Sequence, residues 1–255
     1  MIQETCPVKT VELVGETIYV LTFVSKRIAE STAPGQFVNV RADNGIEPLL
    51  RRPFSVYFSE GENVQIIFHV VGKGTAALRK KRKGDTIDVL GPLGVPFNLD
   101  KDQFDTAVLV GGGLGVAPLP MVTRDLQRLG KNIVTFLGAR TASMIVDHHL
   151  QNVNAATDDG SRGYQGNAVD LARHALPDHS RSRLKVLACG PTPMLRALQV
   201  FAHQEGLSCE ASLEGPMACG FGICQGCPVE LVGEEKKYAL MCKDGPVFNM
   251  RRVRL

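Results

Sequence analysis

No stretch of this 255-residue chain comes near the about 18 consecutive apolar residues of a membrane-spanning helix, and its start, Met1 to Thr10 (MIQETCPVKT), lacks a secretory signal's apolar region. A soluble, cytoplasmic protein with no membrane partner is expected. Charge of one sign is scarce too. The net charge is +3, and the one dense basic run, Lys80 to Lys83 (KKRK), reads as a solvated face rather than a nucleic-acid surface. The six histidines form no ligand-spaced pair; only His148 and His149 adjoin, and they read as surface or loop residues. There is no internal repeat and no low-complexity tract. A disulfide framework is also excluded as the purpose of the seven cysteines, because the cytosol keeps thiols reduced.

What is present is ordinary globular usage, 44% hydrophobic and 22% charged, in a chain long enough for two domains of about 100 to 150 residues and a small appendage. The 26 glycines point to tight turns or close backbone approaches. Up to about residue 100 the texture is short strands between turn signals, the pattern of an antiparallel barrel or sandwich. Thr17 to Val24, Phe37 to Val40, Phe54 to Phe58, Val64 to Val71 and Thr86 to Leu90 are the strands read there, and five or six strands fit. The only helix expected in this part opens at Gly74 and Thr75, with the threonine as cap for Ala76 to Lys80. From Thr106 the chain alternates apolar strand, glycine turn and helix, which predicts a parallel sheet. The strands are Thr106 to Val110, Asn132 to Leu137, Val153 to Thr157 and Leu184 to Ala188, with Glu210 to Leu213 as a further candidate; helices are expected at Pro118 to Leu129, Asn167 to Ala175 and Pro193 to Gln204. The fold class is therefore multi-domain: an antiparallel β-barrel (1–100), an α/β parallel-sheet domain (101–212) and a small C-terminal cysteine-bearing domain (213–255).

Cys219, Cys224, Cys227 and Cys242 read C-x4-C-x2-C-x14-C, and the first three match the plant-type 2Fe-2S spacing. Gly220, Gly222 and Gly226 let the loop wrap closely and aim backbone N–H groups at sulfur. The alternative is a structural zinc site, which ordinarily uses two short C-x2-4-C hairpins. Cys6 and Cys209 read as small buried hydrophobes, and Cys189 as either a buried strand-end thiol or a functional one.

Two further motifs carry chemistry. Arg51 to Ser55 (RRPFS) is by itself a bent strand start, since Pro53 cannot donate to a sheet and restricts Arg52. Val70 to Thr75 (VVGKGT) opens a helix whose free N–H groups favour a phosphate, and Gly91 to Gly94 (GPLG) follows. Gly111 to Pro118 (GGGLGVAP) lies between a strand and a helix, where a dinucleotide phosphate loop belongs. The ordinary fingerprint is incomplete, because Val116 stands at the third glycine's place and no acidic residue ends the next strand, which runs into Gly138, Ala139 and Arg140. Arg140 leaves NADP open beside NAD.

These motifs, with Cys189 to Met194 (CGPTPM), resemble the ferredoxin-NADP reductase superfamily. The resemblance implies FAD held by Arg52, Pro53, Phe54, Ser55, His69, Val70, Val71, Gly74 and Thr75, with Arg52 on the phosphates and Ser55 near the isoalloxazine. It implies NAD at Gly111, Gly112, Gly113, Cys189, Gly190 and Pro191, the cysteine approaching the nicotinamide. The order of the three parts, with MACGFGICQGCPV and CKDGPVF, resembles the electron-transfer subunits of bacterial NAD-dependent dihydroorotate dehydrogenases over essentially the whole chain. That implies a 2Fe-2S cluster on Cys219, Cys224, Cys227 and Cys242. It further implies an FMN-containing catalytic partner that oxidises dihydroorotate, paired as a heterotetramer of two plus two chains. Subunits of sulfide dehydrogenase or hydrogenase type are the runner-up, and a zinc-stabilised binding module the third reading. No general acid or base is expected, since cofactors carry this chemistry. Met217, Phe221, Ile223, Val247 and Phe248 are either a partner-facing patch or the packing of the small domain.

Overall fold

The structure is a computed structural model that describes residues 1–42, 45, 49–100, 103–176 and 183–255. The expected boundary at 100/101 adjoins residues outside that set.

β1 (Ile2–Leu13), β2 (Ile18–Val24), β3 (Phe37–Arg41), β4 (Arg52–Glu60), β5 (Asn63–His69) and β6 (Thr86–Leu93) close an antiparallel barrel in the order β1-β2-β5-β4-β3-β6. Alternation makes it: Val38 and Val40 on β3, Ile66 and Phe68 on β5 and Ile87 and Val89 on β6 fill one core with Cys6 and Val8 of β1. Burying each large apolar side chain contributes about 1.5–3 kcal/mol. Three features depart from the sequence reading. β1 was not among the strands read, because its solvent-side residues and Pro7 blur the pattern; α1 (Lys26–Ser31) was not expected, being six residues long with only Ile28 buried. Ser25 caps it, its Oγ accepting from Ile28 N at 3.2 Å. α2 (Lys73–Arg79) starts one residue before the expected opening, after Gly72. Thr75 sits inside the first turn and its Oγ1 accepts from the N–H groups of Val71 and Gly72, so the threonine caps backwards.

The second part holds β7 (Thr106–Gly112), a 3-10 turn at Gly113–Val116, α3 (Leu119–Arg128), β8 (Asn132–Ala139), β9 (Val153–Thr157), β10 (Tyr164–Gln165), α4 (Ala168–Ala175), β11 (Leu184–Cys189), α5 (Thr192–Gln204) and β12 (Ser208–Ser212). Its sheet runs β10-β9-β8-β7-β11-β12, all parallel. The C-terminal segment adds β13 (Pro228–Leu231), β14 (Tyr238–Leu240), β15 (Val247–Asn249) and β16 (Val253–Arg254). β14-β13-β16 form a small antiparallel sheet, while β15 joins the large sheet beside β12. That edge strand carries the C-terminal segment onto the nucleotide sheet.

The three parts share buried surface. Phe37, Leu90 and Leu93 of the barrel, Val108 and Val186 of the sheet, and Val229, Met241 and Phe248 of the C-terminal segment belong to one hydrophobic cluster. A buried ion pair clamps the connection: Lys185 Nζ reaches Glu210 Oε1 at 2.9 Å and the Asn98 carbonyl at 2.7 Å, while Glu210 accepts from Asn98 N at 3.0 Å. Lys185 is 2% exposed, and only this paired arrangement makes such burial tolerable. The linker leaving the barrel is thereby tied to the sheet, which fixes the gap between them. Among the described residues, no helix is long and apolar enough to cross a membrane.

Candidate flavin, nucleotide and cluster sites

That gap is a cleft of about 330 Å³, and all three parts line it. The barrel supplies Pro53, Phe54, Ser55, His69, Val71 and Thr75; the sheet supplies Leu114, Ala117 and Ser212; the C-terminal segment supplies Glu214 and Met217. Six of the nine residues expected at the flavin therefore face one space. Of the other three, Val70 packs against the barrel core, Gly74 is buried in the first turn of α2, and Arg52 donates from Nη1 to the Leu50 carbonyl at 2.8 Å. Its neighbour Arg51 differs, being ion-paired with Asp88 at 2.5 Å. Of the two arginines in the motif, Arg51 is spent on the barrel. The GPLG turn belongs to the frame: a Cβ on Gly94, where φ is +80°, would lie 2.5 Å from Pro246 Cδ.

β8 and β11 flank β7 on opposite sides, so the strand order reverses at β7/β11, and a crevice opens at the carboxyl ends of these strands. Both nucleotide motifs meet there, with Cys189 in register with Gly111. Backbone and the Met194 side chain press closely on these glycines. A Cβ on Gly115 would lie 2.1 Å from the Cys189 carbonyl oxygen, one on Gly112 2.6 Å from Met194 Sδ, and one on Gly190 2.5 Å from Met194 Cε. Gly113 has φ +54° and open space above it.

Cys189 ends β11, is 1% exposed, and lies 3.7 Å from Glu214 Oε1. Burial pushes its thiol well up, with the Glu214 charge adding to the effect, so it stays protonated and donates to the carboxylate. Glu214 lines the cleft and keeps solvent access there; the protein packed around it raises its carboxyl above the ordinary range by partial burial, with the Cys189 thiol opposing. The sequence reading missed Glu214. Its signal was position: it stands just beyond the end of β12, whose last residue Ser212 is in register with Cys189. Met217 also lines this cleft rather than the surface.

The four clustered cysteines come together as two pairs. Cys227 Sγ and Cys242 Sγ are buried and 3.2 Å apart, well beyond a disulfide bond. Cys219 and Cys224 form the outer pair, Cys224 N donating to Cys219 Sγ at 3.4 Å. Burial raises the Cys219 thiol, but the N–H groups of Cys224, Phe221 and Ile223 outweigh it, lowering the pKa to about 6. Cys242 is pushed up to about 12 by burial and by the Cys227 thiol beside it. Among the described residues, no three His, Cys, Asp or Glu side chains gather around a single ion-sized point. The apolar residues near the cysteines divide: Val247 and Phe248 are core, while Phe221 and Ile223 are 37% and 75% exposed. Cys6 and Cys209 lie in apolar cores.

A barrel and a parallel sheet sharing one cleft, with a cysteine loop against the barrel, define a flavoprotein reductase with an iron-sulfur domain. Residues 214–254 match a family described as the iron-sulfur cluster binding domain of dihydroorotate dehydrogenase B. A dihydroorotate dehydrogenase B (NAD(+)) electron transfer subunit from Geobacillus kaustophilus is 39% identical over 98% of both chains, and one from Fusobacterium nucleatum 35% over 96% of both. The chain belongs to the family of dihydroorotate dehydrogenase B electron transfer subunits. Among solved structures, an NADH-dependent reduced ferredoxin-NADP oxidoreductase superposes with a TM-score of 0.85 at 30% identity, covering 98% of this chain and 90% of that one. The ferredoxin reductase of carbazole 1,9a-dioxygenase shares the fold, with a TM-score of 0.67 at 19% identity over 81% of this chain and 66% of its own.

Proposed function

We propose that this chain carries electrons from the FMN of a dihydroorotate-oxidising catalytic subunit through 2Fe-2S and FAD to NAD+, in pyrimidine biosynthesis in the cytoplasm. The observation that carries this reading is the shared cleft: the RRPFS strand, the loop after β7 with Leu114 and Ala117, and the segment leading to the cysteines all border one space. FAD, when bound, exchanges electron pairs with nicotinamide and single electrons with an iron-sulfur cluster.

The chain's own residues then have distinct tasks. Phe54, Ser55 and His69 bound the ring side of the cleft, and the Arg52 guanidinium is the cation for the diphosphate, with the N–H groups around Gly74 and Thr75. Gly111, Gly112, Gly113, Gly190 and Pro191 give the dinucleotide a backbone-lined seat, beside the Cys189 and Glu214 pair. Cys219 with Cys224, and Cys227 with Cys242, would hold the cluster, the two pairs together supplying four thiolates. That pairing suits a binuclear cluster better than zinc, which draws four donors around one ion. The expected assembly is a heterotetramer of two catalytic and two electron-transfer chains.

Purification with and without the co-expressed catalytic subunit tests this, with flavin, iron and acid-labile sulfide measured. Iron, sulfide and FAD in the chain, and NAD+ reduction by dihydroorotate only with the partner, are expected. Zinc without iron, or full dihydroorotate oxidation by the isolated chain, overturns it.

A further inference from the structure

On β3, Val38 and Val40 point into the barrel core, so Asn39 points outward, where a polar residue on a barrel is ordinarily solvated. It is nevertheless 1% exposed. The cysteine loop covers it: Asn39 Nδ2 donates to the Cys219 carbonyl oxygen at 2.9 Å, and a Cβ on Gly220 would lie 1.9 Å from that same nitrogen. A carbonyl acceptor fixes the orientation of the amide, and Oδ1 is then left buried with no partner among the described residues. Leaving such an acceptor unmet costs stability, which a leucine of similar size avoids. The asparagine is thus a poor choice for stability alone, and what it supplies is the donor.

The location of that donor gives it a consequence. Asn39 pairs across the sheet with Pro53, and the next residues of that strand, Phe54 and Ser55, line the cleft. Its side chain holds the peptide of Cys219, toward whose sulfur the loop N–H groups of Phe221, Ile223 and Cys224 are turned. Hydrogen bonds to the sulfurs are among the factors that set an iron-sulfur potential. We propose that Asn39 is a positioning residue that locks the cluster-binding loop onto the flavin strand's neighbour, and so tunes the cluster's potential and its electron exchange with the flavin side.

This rests on the cluster assignment above, and the test separates the two. The complex is prepared as wild type, Asn39→Leu, which removes the donor, and Asn39→His, which retains an N–H at similar reach. Iron, sulfide and FAD content, the EPR signal of the reduced cluster and its midpoint potential are read, with NADH-driven dye reduction as control. Asn39→Leu is expected to keep FAD and dye reduction, to alter the EPR signal, to lower the potential because loop N–H groups fall away from sulfur, and to slow flavin reduction through the cluster several-fold. Asn39→His returns toward wild type. If Asn39→Leu loses its cluster while Asn39→His keeps one of wild-type potential, the anchor is upheld. Loss from both variants with FAD intact, or wild-type EPR and potential in Asn39→Leu, overturns it. Absence of iron from the wild type would instead overturn the cluster assignment itself.

Discussion

Two glycine-rich loops in this molecule lean on glycine in different proportions of close packing and backbone freedom. In the nucleotide loop, Gly112 and Gly115 are required by what lies next to them: any Cβ would enter Met194 or the Cys189 carbonyl. In the cysteine loop, Gly220 and Gly222 have φ of +79° and +92°, which L side chains rarely adopt, and the turns they permit aim N–H groups at Cys219. The first loop is set by packing on a rigid parallel sheet. The second is set first by local conformation, with Gly220 also pressed against Asn39, in a segment whose strands are two to four residues long. A site of the second kind depends on its metal for order, because binding energy there is also folding energy.

The largest expected effect follows from that dependence. Cys227→Ser removes one sulfur of the buried pair and is expected to abolish the cluster, with iron and acid-labile sulfide falling to background. Hydrogen exchange should accelerate across residues 213–255 while FAD stays bound. Equal protection in that segment would show that it is ordered without metal and erase the contrast between the loops. Next comes Gly115→Val, which forces β7 and β11 apart where the Cys189 carbonyl stands. NADH-driven dye reduction is expected to fall by about 100-fold, the effect of misplacing a substrate by roughly 1 Å. The iron content should not change. A variant that keeps full dye reduction would show that the two loops need not touch.

The same contrast explains what the sequence made legible. The cysteine spacing revealed the cluster because metal chemistry fixes ligand number and local spacing, and the alternation of strand and glycine turn revealed the sheet because parallel strands are buried on both faces. Contacts between distant segments were hidden. Asn39 looks like a surface residue on an outward strand position, and nothing local tells that Cys219, 180 residues later, covers it. Likewise β15 gives no strand signal in three residues, and Glu214 becomes visible only once β12 is laid beside β11. Long-range burial, rather than propensity, decided each of these.

A smaller effect is expected at Arg52. Its guanidinium holds carbonyls of its own loop, whereas Arg51 is committed to Asp88. Arg52→Ala is expected to weaken FAD about tenfold, the equivalent of one charge-assisted hydrogen bond of roughly 1.4 kcal/mol. FAD retained after desalting and titrated back measures it. Arg51→Ala should lower thermal stability instead, and an equal loss of FAD in both variants would mean that the motif acts only through the barrel.

The smallest effect tests whether the cleft is already desolvated before any ligand enters, as a preformed site on a rigid sheet requires. Burial holds the Glu214 carboxyl above its ordinary 4.5. A carboxyl with a raised folded-state pKa binds its proton more tightly in the folded chain than in the unfolded one. Its favourable contribution is therefore complete below pH 4.5 and is lost as the pH rises through the folded-state value. Glu214→Gln is neutral throughout and escapes that loss. Because Glu214 opens onto the cleft, solvent keeps the effect small, and the variant should melt about 1–2 °C above the parent at pH 7. At pH 4 the difference should vanish, since both side chains are then uncharged. Differential scanning calorimetry of the two proteins at both pH values decides it: the same offset at pH 4 and pH 7 would mean that the carboxyl is solvated like any surface glutamate, and that the cleft takes its final form only around its cofactors.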